Sequence, residues 1–219
     1  LMTTLRNQNL VCPHCQNRMY VIEVMSFIVR NSECFSDGKI INSPSRNINP
    51  NILICNICYK TFWKNDALSD EVNYDDFSEE LLGANTIIDL FPRFEIDSKV
   101  KIVKYYSNLL NEGFATTVEK NIYIRIEIWR TLNDSIRYDE SLKGEVNDSL
   151  FKKNLKKLIE IFEPINEEQI LLVAEMYREL GAFKKASYLL ESIKEIKQTS
   201  TFIQIENAIK SKQSKVFKI

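Results

Sequence analysis

The sequence predicts an α+β chain, mostly α, with a small N-terminal β module followed by a helical domain. Three observations predict it. Two Cys-x-x-Cys pairs, Cys12-Pro13-His14-Cys15 and Cys55-Asn56-Ile57-Cys58, each stand beside an apolar, strand-like run. From Phe77 onward the apolar residues change to helical spacing. With only five glycines and five prolines in 219 residues, a loop-rich sandwich or a doubly wound nucleotide fold is disfavoured and long helices are favoured.

Each Cys-x-x-Cys knuckle lets two thiolates converge on one point from a tight turn, and two knuckles supply the four sulfur ligands of a tetrahedral site. Cys12, Cys15, Cys55 and Cys58 are therefore the candidate ligands of one structural Zn2+. A single pair would equally suit a redox dithiol, and four thiolates suit iron as well as zinc. Cys34 is the fifth cysteine, expected as a loop or packed thiol. His14, the single histidine, lies inside a knuckle and is expected to shape its turn rather than to ligate.

After the first knuckle, Arg18 to Arg30 reads as one or two strands, with Tyr20, Ile22, Val24 and Ser26 alternating against Met19, Val21, Glu23, Met25 and Phe27. Asn31 to Pro50 carries Asp37-Gly38, Ser43-Pro44 and Asn49-Pro50, which is loop chemistry. Asn51 to Ile54 is a short apolar run leading to the second knuckle, and Tyr59 to Trp63 is aromatic and strand-like. This order is that of a zinc ribbon. The 39 residues between Cys15 and Cys55 exceed the usual 15–20, so a loop inserted over roughly Asn31 to Asn49 is expected. A module of about sixty residues with so polar a centre buries little apolar surface. Zinc would then supply folding free energy, on the order of 10 kcal/mol in zinc-finger peptides.

Helices follow. Ser78 to Leu82 reads as a short one ending near Gly83. Asp97-Ser98 starts a longer one with Val100, Val103, Tyr106 or Ser107 and Leu110 at helical spacing, and Gly113 stops it. Thr116 to Arg137 gives a long helix with Val118, Ile122, Ile126, Trp129 and Leu132 near one stripe, although Ile122 to Ile128 also alternates like a strand. Leu150 to Phe162 is amphipathic and Pro164 follows it. Ile170, Val173, Ala174, Tyr177, Gly181, Phe183, Ala186, Leu190 and Ile193 fall at tetratricopeptide-repeat (TPR) spacing, with small residues where two helices would cross. Because such folds need about three units, a short array of two divergent repeats with flanking helices is expected, Thr201 to Lys212 serving as a cap. The expected division is 1–65 zinc ribbon, 66–97 acidic linker or short helix, and 98–219 TPR-like helical domain.

Formal net charge is −1, so no global basic excess advertises nucleic acid or membrane. Charge is nonetheless uneven: residues 1–65, 66–97 and 98–219 carry +4, −9 and +4. The acidic stretch around Asp70, Glu71, Asp75, Asp76, Glu79 and Glu80 is either a solvated surface or a contact for a basic one. No stretch approaches the ~20 apolar residues of a membrane helix, and no signal peptide is read. Paired thiols without a disulfide framework lead to the expectation of a cytoplasmic protein.

Together these residues resemble a family of uncharacterised bacterial proteins that join an N-terminal zinc ribbon to a C-terminal tetratricopeptide-like region. The resemblance is carried by Cys12-Pro13-His14-Cys15, by Asn49-Pro50 before Cys55-Asn56-Ile57-Cys58, and by Glu167 to Ile193. Second knuckles in that family usually carry Pro and Gly where Asn56, Ile57 and Tyr59 stand here. The resemblance implies fold and metal more than activity.

Catalytic chemistry finds little support. Four thiolates leave a tetrahedral ion no open position for water, and no glycine-rich phosphate loop occurs. No carboxylate pair is marked as acid and base. Two non-enzymatic classes are weighed. One is a zinc-stiffened adaptor whose helices bind a protein partner. The alternative is a nucleic-acid-binding regulator using Arg18, Arg30, Arg46, Lys60 and Lys64, with Lys39, on phosphates and Phe62 or Trp63 for stacking. The acidic middle segment favours the protein partner, since it would repel phosphate.

Overall fold

Each leading cysteine of the two pairs follows directly on a β-strand, and that placement organises the first part of the chain. The computed structural model describes residues 4–26, 31–43, 51–69, 85–86, 96–138 and 148–219. It divides into two units, Leu1–Ser32 with Asn42–Phe94, and Glu33–Ile41 with Glu95–Ile219. The class is α+β: short antiparallel sheets precede six helices among the described residues.

In the first unit, β1 (Thr4–Val11) and β2 (Arg18–Ser26) form a long hairpin, in register from Val11 opposite Arg18 to Leu5 opposite Val24. A third strand, β7 (Leu68–Ser69), lies on the other edge of β1. A second sheet pairs β5 (Ile52–Ile54) with β6 (Thr61–Trp63) on one edge and β8 (Asn85–Thr86) on the other. Leu10, Met19, Val21, Leu53 and Phe62 are buried around Cys12 and Cys55. The strand expected from Arg18 is there, and Met19 and Val21 are its inward residues while Ile22 is exposed. β1 has no counterpart in the sequence reading. Its Arg6-Asn7-Gln8-Asn9 centre lacks apolar alternation, so its stability comes from two neighbouring strands rather than from its own side chains.

The second unit holds α1 (Ile96–Asn111), α2 (Val118–Tyr138), α3 (Asp148–Ile161), α4 (Glu167–Glu179), α5 (Phe183–Ser192) and α6 (Ser200–Lys210). Local chemistry sets several ends. The Asn166 side chain caps α4 by accepting from the Gln169 N–H at 2.9 Å, and Thr199 caps α6 through the Phe202 N–H at 3.3 Å. Gly181, at φ 74°, turns the chain between α4 and α5. Around that turn, Ala174 and Ala186 are fully buried and pack with Leu171, Leu190, Ile193, Phe202, Ile205 and Ile209. Trp129, Leu155, Leu158 and Met176 form a second core from α2, α3 and α4.

Two expected stripes are rotated. In α1 the buried residues are Ile102, Val103, Tyr106 and Leu109, while Val100 is exposed. In α2, Ile124, Ile128 and Trp129 are buried, Ile122 and Ile126 flank the second core, and Val118 is exposed. α2 packs against both α1 and α3, so it buries two faces and has no single stripe to read. The strand-like alternation of Ile122 to Ile128 has the same origin.

Asn31 to Asn49, expected as an inserted loop, contains a hairpin: β3 (Asn31–Cys34) pairs with β4 (Ile40–Ser43). Gly38, at φ 72°, makes its turn, and a Cβ there would come within 3.2 Å of the Arg130 guanidinium. The tip of this hairpin belongs to the helical unit. Fully buried Asp37 accepts from Arg137 and, at 3.0 Å, from Asn133 Nδ2. Lys39 Nζ meets both oxygens of Asp134 at 2.7 and 2.6 Å. Glu179 completes the network by accepting from Trp129 Nε1 at 2.8 Å and from Asn133. These partners explain why Asn133 and Asp134, polar enough to suggest a helix end, remain inside α2. The helix expected at Ser78 to Leu82 and the acidic residues Asp70 to Glu80 lie outside the described residues.

Candidate metal centre

The two knuckles are built by the same hydrogen bonds. In the first, the Cys12 N–H donates to the Asn17 carbonyl at 2.9 Å and the Gln16 N–H to the Cys12 carbonyl at 3.0 Å. In the second, the Cys55 N–H donates to the Lys60 carbonyl at 3.0 Å and the Tyr59 N–H to the Cys55 carbonyl at 2.8 Å. β1 enters and β2 leaves the first knuckle, while β5 enters and β6 leaves the second. Sequence fixes the loop length; paired strands fix its ends.

The knuckles bring the four sulfurs together. Cys12 Sγ lies 3.8 Å from Cys58 Sγ, Cys15 Sγ lies 3.7 Å from Cys55 Sγ, and all four are within 4.8 Å of one another. Four sulfurs placed about 2.3 Å from one zinc ion at tetrahedral angles stand roughly 3.8 Å apart. The spacing thus suits one metal ion held by four thiolates. Cys12 and Cys55 are buried, whereas Cys15 and Cys58 are half-buried.

Amide N–H groups surround the sulfurs. His14 N–H points to Cys12 Sγ at 3.4 Å, and the N–H groups of Ile57 and Cys58 point to Cys55 Sγ at 3.4 and 3.5 Å. The Asn17 side-chain amide donates to Cys15 Sγ at 3.3 Å. Such donors stabilise thiolate charge. As free thiols Cys12, Cys15 and Cys55 are unequal. Burial pushes Cys12 up to about 12, against the N–H groups around it, and pushes Cys55 up as well. The Asn17 backbone N–H is the main influence drawing Cys15 down to about 6. A cation would have to displace protons from Cys12 and Cys55, which burial holds protonated.

All four sequence-predicted ligands converge. The His14 ring instead meets the Thr61 carbonyl through Nε2 at 3.2 Å and approaches Phe62 edge-on, outside the sulfur cluster. Cys34 is exposed on the β3–β4 hairpin and is not among the four clustered cysteines. Among the residues considered for nucleic acid, Arg18 and Lys60 are exposed and Lys64 is half-buried, while Arg30 and Arg46 lie outside the described residues. Phe62 and Trp63, at 2% and 6% exposure, are core residues of the ribbon-like unit and present no face for stacking. Lys39 is engaged by Asp134.

Sequence reasoning missed Asn17 and the buried polar network of the helical unit. An amide two residues after Cys15 was a usable signal. No sequence spacing joins Asp37 to Arg137.

No described helix is long and apolar enough to cross a membrane. No family model, curated protein or solved structure matches the chain.

Proposed function

We propose that this protein is a non-enzymatic adaptor: one structural Zn2+ holds the β module, and the TPR-like helices bind a protein partner. The observation that carries the reading is the four-sulfur cluster, whose 3.7 and 3.8 Å edges suit zinc. With all four positions of a tetrahedral ion taken by sulfur, water has no place to be activated, so the metal supplies folding energy rather than catalysis. The helical side of the reading is supported by the α4–α5 hairpin, which crosses at buried Ala174 and Ala186. Burial of Phe62 and Trp63 weighs against nucleic-acid stacking by the β module.

Metal analysis of chelator-free protein tests the metal half. About one zinc per chain is expected, lost on changing Cys12, Cys15, Cys55 or Cys58 to Ser and kept in Cys34→Ser. A folded, metal-free chain with four reactive thiols would refute it. Chemical cross-linking in cells, with the helical unit as bait, tests the partner half. Cross-links confined to RNA or DNA would replace the adaptor with the nucleic-acid reading.

A further inference from the structure

The four clustered sulfurs are not equally sheltered. Cys12 and Cys55 are fully buried, whereas Cys15 and Cys58 are half-buried. The N–H donors are shared unevenly as well. Cys12 Sγ accepts from His14 at 3.4 Å, and Cys55 Sγ accepts from Ile57 and Cys58 at 3.4 and 3.5 Å. Cys15, the half-buried sulfur of the first knuckle, is covered by the Asn17 side-chain amide at 3.3 Å. In the second knuckle exposed Lys60 stands in Asn17's place, two residues after the second cysteine. Among the described residues no N–H is directed at Cys58 Sγ; its neighbour is Cys12 Sγ, 3.8 Å away.

This asymmetry decides where an electrophile reacts. A thiolate held by a cation remains a nucleophile, and each N–H that it accepts draws charge off the sulfur. Attack also requires access. Cys12 and Cys55 have no access, and Cys15 shares its charge with Asn17. Cys58 combines access with a sulfur that accepts no N–H. Cys12, shut off from solvent, can meet an oxidant only through a neighbouring sulfur. It is also the less firmly held of the two buried sulfurs, with one N–H where Cys55 has two.

We propose that Cys58 is the oxidation site of the metal centre, where a hydroperoxide turns the zinc-bound thiolates of Cys58 and Cys12 into a disulfide and releases the ion. The inference rests on the structural-zinc reading and names how that site is regulated. The Cys58 thiolate attacks one oxygen of hydrogen peroxide; the S–O bond forms, the O–O bond breaks, and hydroxide leaves. The Cys12 thiolate then attacks the Cys58 sulfur; the S–S bond forms, the S–O bond breaks, and a second hydroxide leaves. Two electrons pass from the sulfur pair to the peroxide, and water protonates nothing but the departing oxygens. Two thiolates remain for the ion, too few for the tetrahedral site, and the β module loses the folding free energy that zinc supplies.

The test uses the full chain carrying Cys34→Ser, which removes the exposed fifth thiol, purified with its metal. Hydrogen peroxide is added while a coloured chelator reads released zinc. About one zinc per chain should leave, and peptide mapping after brief exposure should find Cys12 linked to Cys58 as the first disulfide. Cys58→His keeps four ligands and should slow release at least about tenfold, whereas Cys15→His should release at close to the unaltered rate. Zinc retained in excess peroxide overturns the proposal, as does equal slowing by both changes or a first disulfide between any other pair. Should a histidine variant bind no zinc, mapping of the Cys34→Ser chain decides by itself. A chain that is folded yet free of zinc before peroxide is added refutes the zinc reading instead, and this inference falls with it.

Discussion

Gln16 and Tyr59 occupy the same place in the two knuckles, each just after the second cysteine, with φ of 60° and 58°. Both adopt the left-handed conformation that glycine takes most readily. Each residue closes the turn by donating its N–H to the leading cysteine's carbonyl. Gln16→Gly and Tyr59→Gly should each stabilise the β module by about 1 kcal/mol, partly offset by greater freedom of the unfolded chain. Chelator-challenged unfolding of the two variants measures this, and a loss of stability would contradict the reading.

Metal removal should act on the β module first. The core around the cysteines consists of Leu10, Met19, Val21, Leu53 and Phe62, little apolar material for so many strands. Chelation is expected to abolish its strand signal while helical circular dichroism persists, because the helical unit has two cores of its own. Retention of both signals would show that the strands hold without the ion.

Two glutamates should shift stability with pH in opposite directions. Burial, with Glu175 and Asp37 nearby, raises Glu179 well above its ordinary value of 4.5. The folded chain then holds a proton that the unfolded chain releases, so this contribution is complete below about 4.5 and fades as pH rises. Glu179→Gln should therefore gain stability relative to the parent as pH rises above that ordinary value, measured by denaturant unfolding.

Glu167 shows the reverse. Burial pushes its carboxyl up, but the N–H groups of Lys194, Ile196 and Glu195 outweigh it and hold the group below 4.5. Its carboxylate accepts from the Lys194 and Glu195 N–H groups at 2.7 Å each and ties the end of α5 to the start of α4. The folded chain here binds its proton less readily than the unfolded one, so the contribution is present above 4.5 and lost on acidification. Glu167→Gln should flatten the acid limb of the stability curve; an unchanged limb would exclude this contact as its source.

Arg137→Ala should be among the most destabilising single changes in the helical unit. The guanidinium, 1% exposed, pairs with Asp37 and lies 4.8 Å from the Phe35 ring. Removing it strands a buried carboxylate, at a cost of about 3–5 kcal/mol. Exchange of the hairpin-tip amides of Gly38 and Lys39 should accelerate with it. A change of less than about 1 kcal/mol would mean that Asp37 finds another partner.

Much of the candidate metal centre was legible in the chain. Cys12, Cys15, Cys55 and Cys58 converge because a Cys-x-x-Cys turn aims its own two sulfurs locally, and local geometry survives in sequence. Helix existence was legible for the same reason: Asp97-Ser98, Gly113 and Pro164 mark ends through near-neighbour chemistry, whereas Gly181, read as a small residue at a helix crossing, makes the turn between α4 and α5. The buried faces of α1 and α2 were less so, since α2 is covered from two sides and its pattern no longer shows one stripe.

What the sequence determined by itself is the α+β class and the two cysteine knuckles whose four sulfurs cluster, both products of short-range spacing. The tertiary structure decided the rest. It made a strand of polar Thr4–Val11 by lending it partners on both edges, turned an expected loop into the β3–β4 hairpin, and placed that hairpin's tip with the helices. It also joined Asp37 to Arg137 and the segment after α6 to Arg178. Those pairings span long stretches of chain, and they form because a buried charge or main-chain group must find a partner wherever the fold brings one.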